Sequence, residues 1–154
     1  MSDRQDSRER RARSRAGVVP WLHLVRIQQK IGRRAMAQLA AYDLTPAQFD
    51  VLAQLRAAPG ITQQMLADRL LVTKGNVCGL IDRLVARGLV ERCSDPADRR
   101  ANLLVLTDVG AALADEVIPA HEALIAEHMD RLGAEKRRTL GGLLRELDRA
   151  LDTV

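Results

Sequence analysis

The sequence predicts a mainly α-helical fold that carries one small β-hairpin, and three observations lead there. Its apolar content comes from Leu, Ala, Val and Ile, with Trp21, Tyr42 and Phe49 as the sole aromatic residues, a composition that favours helices over a β-sandwich. Apolar residues recur at spacings of three and four along most of the chain, the period of a helix with one buried face. Between residues 89 and 106 that period gives way to two short apolar-rich runs around a polar loop, the pattern of a hairpin. At 154 residues the chain is long enough for one domain with a sizeable core.

Residues 1–18 read as a mobile basic tail, in which Arg4, Arg8, Arg10, Arg11, Arg13 and Arg15 are interleaved with Asp3, Asp6 and Glu9 and no apolar face exists to be buried. It is either a solvated segment or a basic arm that touches phosphate. From Pro20 to about Tyr42, Leu24, Ile27, Ile31, Ala35 and Leu39 place one stripe along a first helix. Thr45-Pro46-Ala47-Gln48 then supplies an N-cap, a proline at the first helical position and the capping-box glutamine, so a second helix starts here and runs to about Ala57. Thr62 caps a short third helix, and Thr73 opens a fourth that ends near Arg87-Gly88, where glycine suits a left-handed cap.

In this fourth helix Val77, Leu80, Ile81 and Leu84 form the inward stripe, leaving Lys74, Asn76, Cys78, Gly79, Asp82 and Arg83 outward. Two short helices, a tight turn and an amphipathic second helix make a helix-turn-helix. Residues 89–94 and 103–106 flank the polar loop 95–102, which gives the motif a wing with a charged tip. Thr107-Asp108 caps a fifth helix, interrupted or bent near Pro119. A sixth, from about Ala134, carries Leu140, Leu143, Leu144, Leu147 and Leu151.

A helix that enters the major groove keeps its apolar face on its own domain and offers short polar or cationic side chains from its first turns. Thr73 and the free amides beside it suit a phosphate, Lys74 adds charge, and Asn76 has the donor and acceptor that read adenine. Gly79 is costly inside a helix and is explained either by close approach of a partner or as a tolerated surface position; Arg83 lies one turn further on. At the wing tip Arg99 and Arg100 suit a narrow minor groove, with Asp98 to orient them; a charged turn whose members pair with each other is the other reading. The formal net charge of +4, set against 20 acidic residues, permits a polyanionic partner without establishing one.

The stretch Gly79-Leu80-Ile81-Asp82-Arg83-Leu84, then Arg87-Gly88-Leu89-Val90-Glu91-Arg92, Asp95-Pro96-Ala97-Asp98-Arg99-Arg100 and Leu104-Val105-Leu106-Thr107 resembles the signature of the MarR family of bacterial transcription regulators. The element order from about Pro20 to Asp152 resembles that family as well. The resemblance implies a winged helix-turn-helix over 44–107 and a helical dimerisation region made of 19–43 and 108–152. It also implies a homodimer on a pseudo-palindromic double-stranded operator, and a repressor released by a phenolic or other aromatic acid, or a related thioester, bound between the two regions. Trp21 and His23 offer a stacking surface and a hydrogen-bond group for such an effector. Asp50 and Arg92 resemble the acid–arginine pair of the urate-responsive branch, whose tryptophan-bearing extra N-terminal helix is missing here, so urate is not expected.

Other classes fit less well. His23, His121, His128, Cys78 and Cys93 assemble no local catalytic or metal-binding constellation, and no phosphate-binding glycine loop is present, so neither enzymatic activity nor a cofactor is expected. Two cysteines are too few for a disulfide framework, and no apolar run reaches membrane-spanning length, which points to the cytoplasm and away from a membrane. Some relatives sense oxidants through a cysteine near the start of the first helix, which this chain lacks; Cys78 on the fourth helix keeps a redox-responsive repressor as an alternative. A helical interaction dimer that never touches DNA is another, and ionic strength separates it from a DNA binder.

Overall fold

The computed structural model describes residues 2–94 and 102–152, with side chains from residue 15 onward. The elements run α1 (Ser2–Ala40), α2 (Pro46–Ala57), β1 (Ile61–Thr62), α3 (Gln63–Leu70), α4 (Lys74–Ala86), β2 (Val90–Ser94), β3 (Asn102–Leu106), α5 (Asp108–Asp130) and α6 (Ala134–Leu151). Every polar cap read from the sequence forms. Thr45 and Gln48 close a reciprocal capping box at α2, and Thr62, Thr73 and Thr107 accept from the backbone amides of Met65, Asn76 and Gly110. Gly88 follows α4 with φ 68°, the left-handed stop expected of it.

Three boundaries differ from the sequence reading. Helix α1 starts at Ser2, not near Pro20, and continues through that proline over 39 residues. The six arginines, two alanines and Glu9 of this stretch are strong helix formers, and extending a helix already nucleated by its packed half costs far less than starting one. Helix α5 likewise runs unbroken through Pro119 for 23 residues. Finally, the wing belongs to a three-stranded antiparallel sheet in the order β1-β3-β2, with Ile61 opposite Leu104 and Arg92 opposite the same residue on the other side. A two-residue strand carries no alternation to detect; Gly60, at φ 77°, steers the chain into it and donates to the Leu104 carbonyl at 3.0 Å.

The core lies between α2, α3, α4, the sheet and the first half of α5. Leu52, Leu55, Leu66, Val77, Ile81, Leu84, Leu104 and Val117 are all fully buried there. Helix α5 is locked onto the base of the wing. Thr107 donates its hydroxyl to the Gly88 carbonyl at 2.6 Å, and its amide donates to that of Leu89 at 3.1 Å. Helix α6 contributes no buried residue, and Leu143, Leu144, Leu147 and Leu151 remain exposed along it. On α1, Val18, Val19, Trp21, Leu22, Ile27 and Met36 are exposed too.

Candidate nucleic-acid interface

Helix α4 is held from beneath by Val77, Ile81 and Leu84, one continuous inward stripe with no measurable exposure. This anchoring leaves its opposite face free. Thr73, Lys74, Gly75 and Asn76 are exposed, Cys78 and Gly79 are half-buried, and Asp82 and Arg83 are exposed again one turn on. Leu80, assigned inward from its spacing, is only partly buried and packs at the edge of the core. The five α4 positions expected to meet DNA, Thr73, Lys74, Asn76, Gly79 and Arg83, thus share one helix whose N-terminus is capped by a side chain and opens to solvent.

Gly79 has no role in packing the chain's own fold. A methyl group built there meets nothing nearer than Arg83 Nη2 at 4.0 Å, and at Gly75, one turn earlier, it meets nothing at all within 4 Å. Both glycines therefore weaken α4 with no internal compensation; no tight contact within the chain requires either, and both sequence readings, close approach of a partner and a tolerated surface position, fit this open space. Gly79→Ala is expected to raise the unfolding free energy by about 0.5–1 kcal/mol, as read from the urea midpoint. A lowered midpoint would mean that the glycine serves the fold.

The sheet ties the wing to this helix. Directly opposed residues of an antiparallel pair share a face, so Arg92, opposite the fully buried Leu104, has its stem on the inner side of β2. From there its Nη2 reaches Asp82 Oδ1 on α4 at 2.6 Å. That ion pair corrects the expected Asp50–Arg92 pair, since Arg92 is claimed by the nearer carboxylate. Both partners keep substantial solvent contact, so the pair contributes orientation more than stability. The strands bring the chain out to Ser94 and back in at Asn102, which pair with each other; the expected contacts Asp98, Arg99 and Arg100 lie outside the described residues.

The expected effector residues are not gathered into one site. Trp21 is 63% exposed on α1, and His23 lines a shallow cavity of about 360 Å³ with Val19, Leu22, Val25, Arg26 and Gln29. Asp50 belongs instead to a polar junction of α1, α2 and α5 that the sequence did not reveal. There Gln38 donates through Nε2 to the Ala120 carbonyl at 2.8 Å, His121 Nδ1 lies 3.1 Å from Gln38 Oε1, and the imidazole stacks at a tilt on Phe49 with centroids 4.4 Å apart. Partial burial pushes the Asp50 carboxyl above its ordinary pKa, against the smaller opposing pull of His121. A second link, Arg56 to Asp115 at 2.6 Å, joins α2 to α5. These partners are 59 to 83 residues apart, so no local spacing announces them. Both thiols, Cys78 and Cys93, are free and partly buried.

Residues 42–101 match the model of the MarR family. The multiple antibiotic resistance protein MarR of Escherichia coli is 35% identical over 132 residues, which span 84% of this chain and 92% of that protein. Its cysteine-to-serine variant, solved in complex with operator DNA, superposes with a TM-score of 0.76 at 35% identity, covering 84% of this chain and 94% of the other. The transcriptional repressor CouR, bound to a 23-mer DNA duplex, gives a TM-score of 0.71 at 33% identity over 81% of this chain and 89% of the other. With an anchored α4, a three-stranded wing and flanking helices matching these relatives along most of its length, the chain belongs to the MarR family of DNA-binding transcriptional regulators.

Proposed function

We propose that the chain works as a homodimeric repressor that holds a pseudo-palindromic operator and releases it when a small aromatic acid, or its thioester, binds between the helical and winged regions. One observation carries the DNA part: α4 buries Val77, Ile81 and Leu84 completely while presenting Thr73, Lys74 and Asn76 to solvent. In this reading the N-terminal turns of α4, with Gly79 and Arg83 behind them, enter the major groove, and Asp98, Arg99 and Arg100 reach the adjacent minor groove. The DNA-bound relatives support it. The dimer is supported by the exposed apolar faces of α1 and α6, which no described residue of the chain covers.

Mobility shift on the DNA upstream of the protein's own gene tests the reading. Affinity is expected to fall steeply as salt rises, because each phosphate contact releases counterions; a helical interaction dimer without a DNA site gives a flat response. Lys74→Ala, Asn76→Ala and Arg100→Ala are each expected to cost roughly 1–3 kcal/mol of binding where the contact is made in a groove. Unchanged affinity in all three removes α4 and the wing from the interface. For the effector, aromatic acids and their thioesters are titrated while thermal stability and operator release are followed. Differential affinity for the two shapes is the thermodynamic requirement: a ligand that binds both equally stabilises the fold and leaves operator affinity unchanged, so the effector is the ligand that both stabilises the free protein and weakens DNA binding.

A further inference from the structure

We propose that Leu71, in the turn between α3 and α4, contacts the 5-methyl group of a thymine in the operator and so contributes to sequence choice. The proposal rests on the reading of α4 as the helix that enters the major groove. Leu71 is 93% exposed, more than any other large apolar side chain among the described residues. Its backbone sits at φ 54° and ψ 39°, the left-handed region, where a Cβ crowds the following carbonyl and glycine or asparagine is the usual occupant. Among the described residues only one other non-glycine has a positive φ, and that is Asp43, a residue type that tolerates it.

The free fold gains nothing from this leucine. Closure of α3 is made by backbone groups alone, the Leu71 amide to the Asp68 carbonyl at 3.2 Å and the Val72 amide to that of Ala67 at 3.1 Å, and any residue supplies those bonds. The side chain therefore bears backbone strain while staying in water. What surrounds it points to a partner. Thr73, the N-cap of α4, is two residues on, the intervening Val72 is exposed as well, and the exposed polar residues Thr73, Lys74 and Asn76 follow directly in the chain. A hydrocarbon side chain continuous with a major-groove surface has no hydrogen bond to give to phosphates or base edges. The one apolar feature that base edges display in that groove is the thymine methyl.

The test uses the full-length protein and a duplex selected by it from a random-sequence library. Leu71→Gly keeps the backbone bonds and relieves the left-handed strain, so the variant is expected to stay folded with an unchanged or higher melting temperature. Its affinity for the selected duplex is expected to fall roughly three- to tenfold, the scale of one or two buried methyl groups. Its salt slope is expected to stay that of the parent, whereas Lys74→Ala lowers the slope by about one. Substituting deoxyuridine for thymine, one position at a time, deletes only the methyl; the parent protein should lose affinity at a position in each half-site where Leu71→Gly is indifferent. Equal losses in both proteins at every position, or full affinity in Leu71→Gly, overturn the proposal while leaving α4 in the groove. If Lys74→Ala and Asn76→Ala also bind like the parent, the reading of α4 falls and this proposal falls with it.

Discussion

A chain with Leu143 and Leu147 both replaced by aspartate is expected to sediment as a folded monomer and to lose operator affinity by roughly 100-fold or more, the scale at which a second linked contact contributes to avidity. The reason is the state of α6. None of its residues is buried, and Leu143 and Leu151 are 61% and 68% exposed, so most of the free energy available from withdrawing these leucines from water is still unused. Each fully buried leucine is worth roughly 1.5–3 kcal/mol, and a two-fold interface counts every one of them twice. In the proposed dimer, aspartate at two central positions replaces that gain with four carboxylates brought together at one interface. The winged domain should survive the change, because its core draws on Leu52, Leu66, Ile81 and Leu104 and on nothing from α6. Far-UV circular dichroism that keeps its helical signal, together with a halved mass, is the expected result. A dimer mass with undiminished operator binding would show that the exposed stripe has another purpose.

What could be read from the sequence follows the range of the forces involved. Caps were legible because a threonine hydroxyl and an amide three residues later settle the matter between themselves, as at Thr45, Thr62, Thr73 and Thr107. The inward stripe of α4 was legible in Val77, Ile81 and Leu84 because burial imposes its period on the chain. Ion pairs were not. Arg92 has acidic residues at many separations, and only the β2–β3 register, which puts it on the side of Leu104, decides for Asp82 over Asp50. The junction of Gln38, Phe49 and His121 was hidden for the same reason, since three distant helices meet there. Strand β1 was too short for any pattern, and the helical conformation of residues before Pro20 runs against the habit of ending helices at proline. The α4 part of the candidate site was therefore written locally, whereas the coupling of the wing to the rest of the fold was written in tertiary contacts.

Gly110→Ala is expected to destabilise the fold by about 1–3 kcal/mol, the cost of forcing extra volume into a packed site, and so to act in the opposite direction to Gly79→Ala. Both glycines are helical, so propensity alone favours alanine at each. Their surroundings reverse the sign. A methyl group built on Gly110 would overlap the carbonyl oxygen of Leu89 and stand only 2.8 Å from its carbon. Backbone cannot swing aside as a flexible side chain does, so either the first turn of α5 or residue 89 must shift. Neither is free to move. The Gly110 amide donates to Thr107 Oγ1 at 3.0 Å, the same hydroxyl donates to the Gly88 carbonyl, and the Thr107 amide holds the Leu89 carbonyl. A shift there strains three hydrogen bonds at the point where α5 is fastened to the base of the wing, next to the buried Leu89 and Val90. Urea unfolding of the two alanine variants beside the parent measures the pair directly. Midpoints displaced to opposite sides of the parent are expected, lower for Gly110→Ala and higher for Gly79→Ala. A Gly110→Ala midpoint at or above that of the parent would mean that α5 is not seated against Leu89 as described, and would free the wing from the helix that leads into α6, on which part of the proposed dimer contact lies.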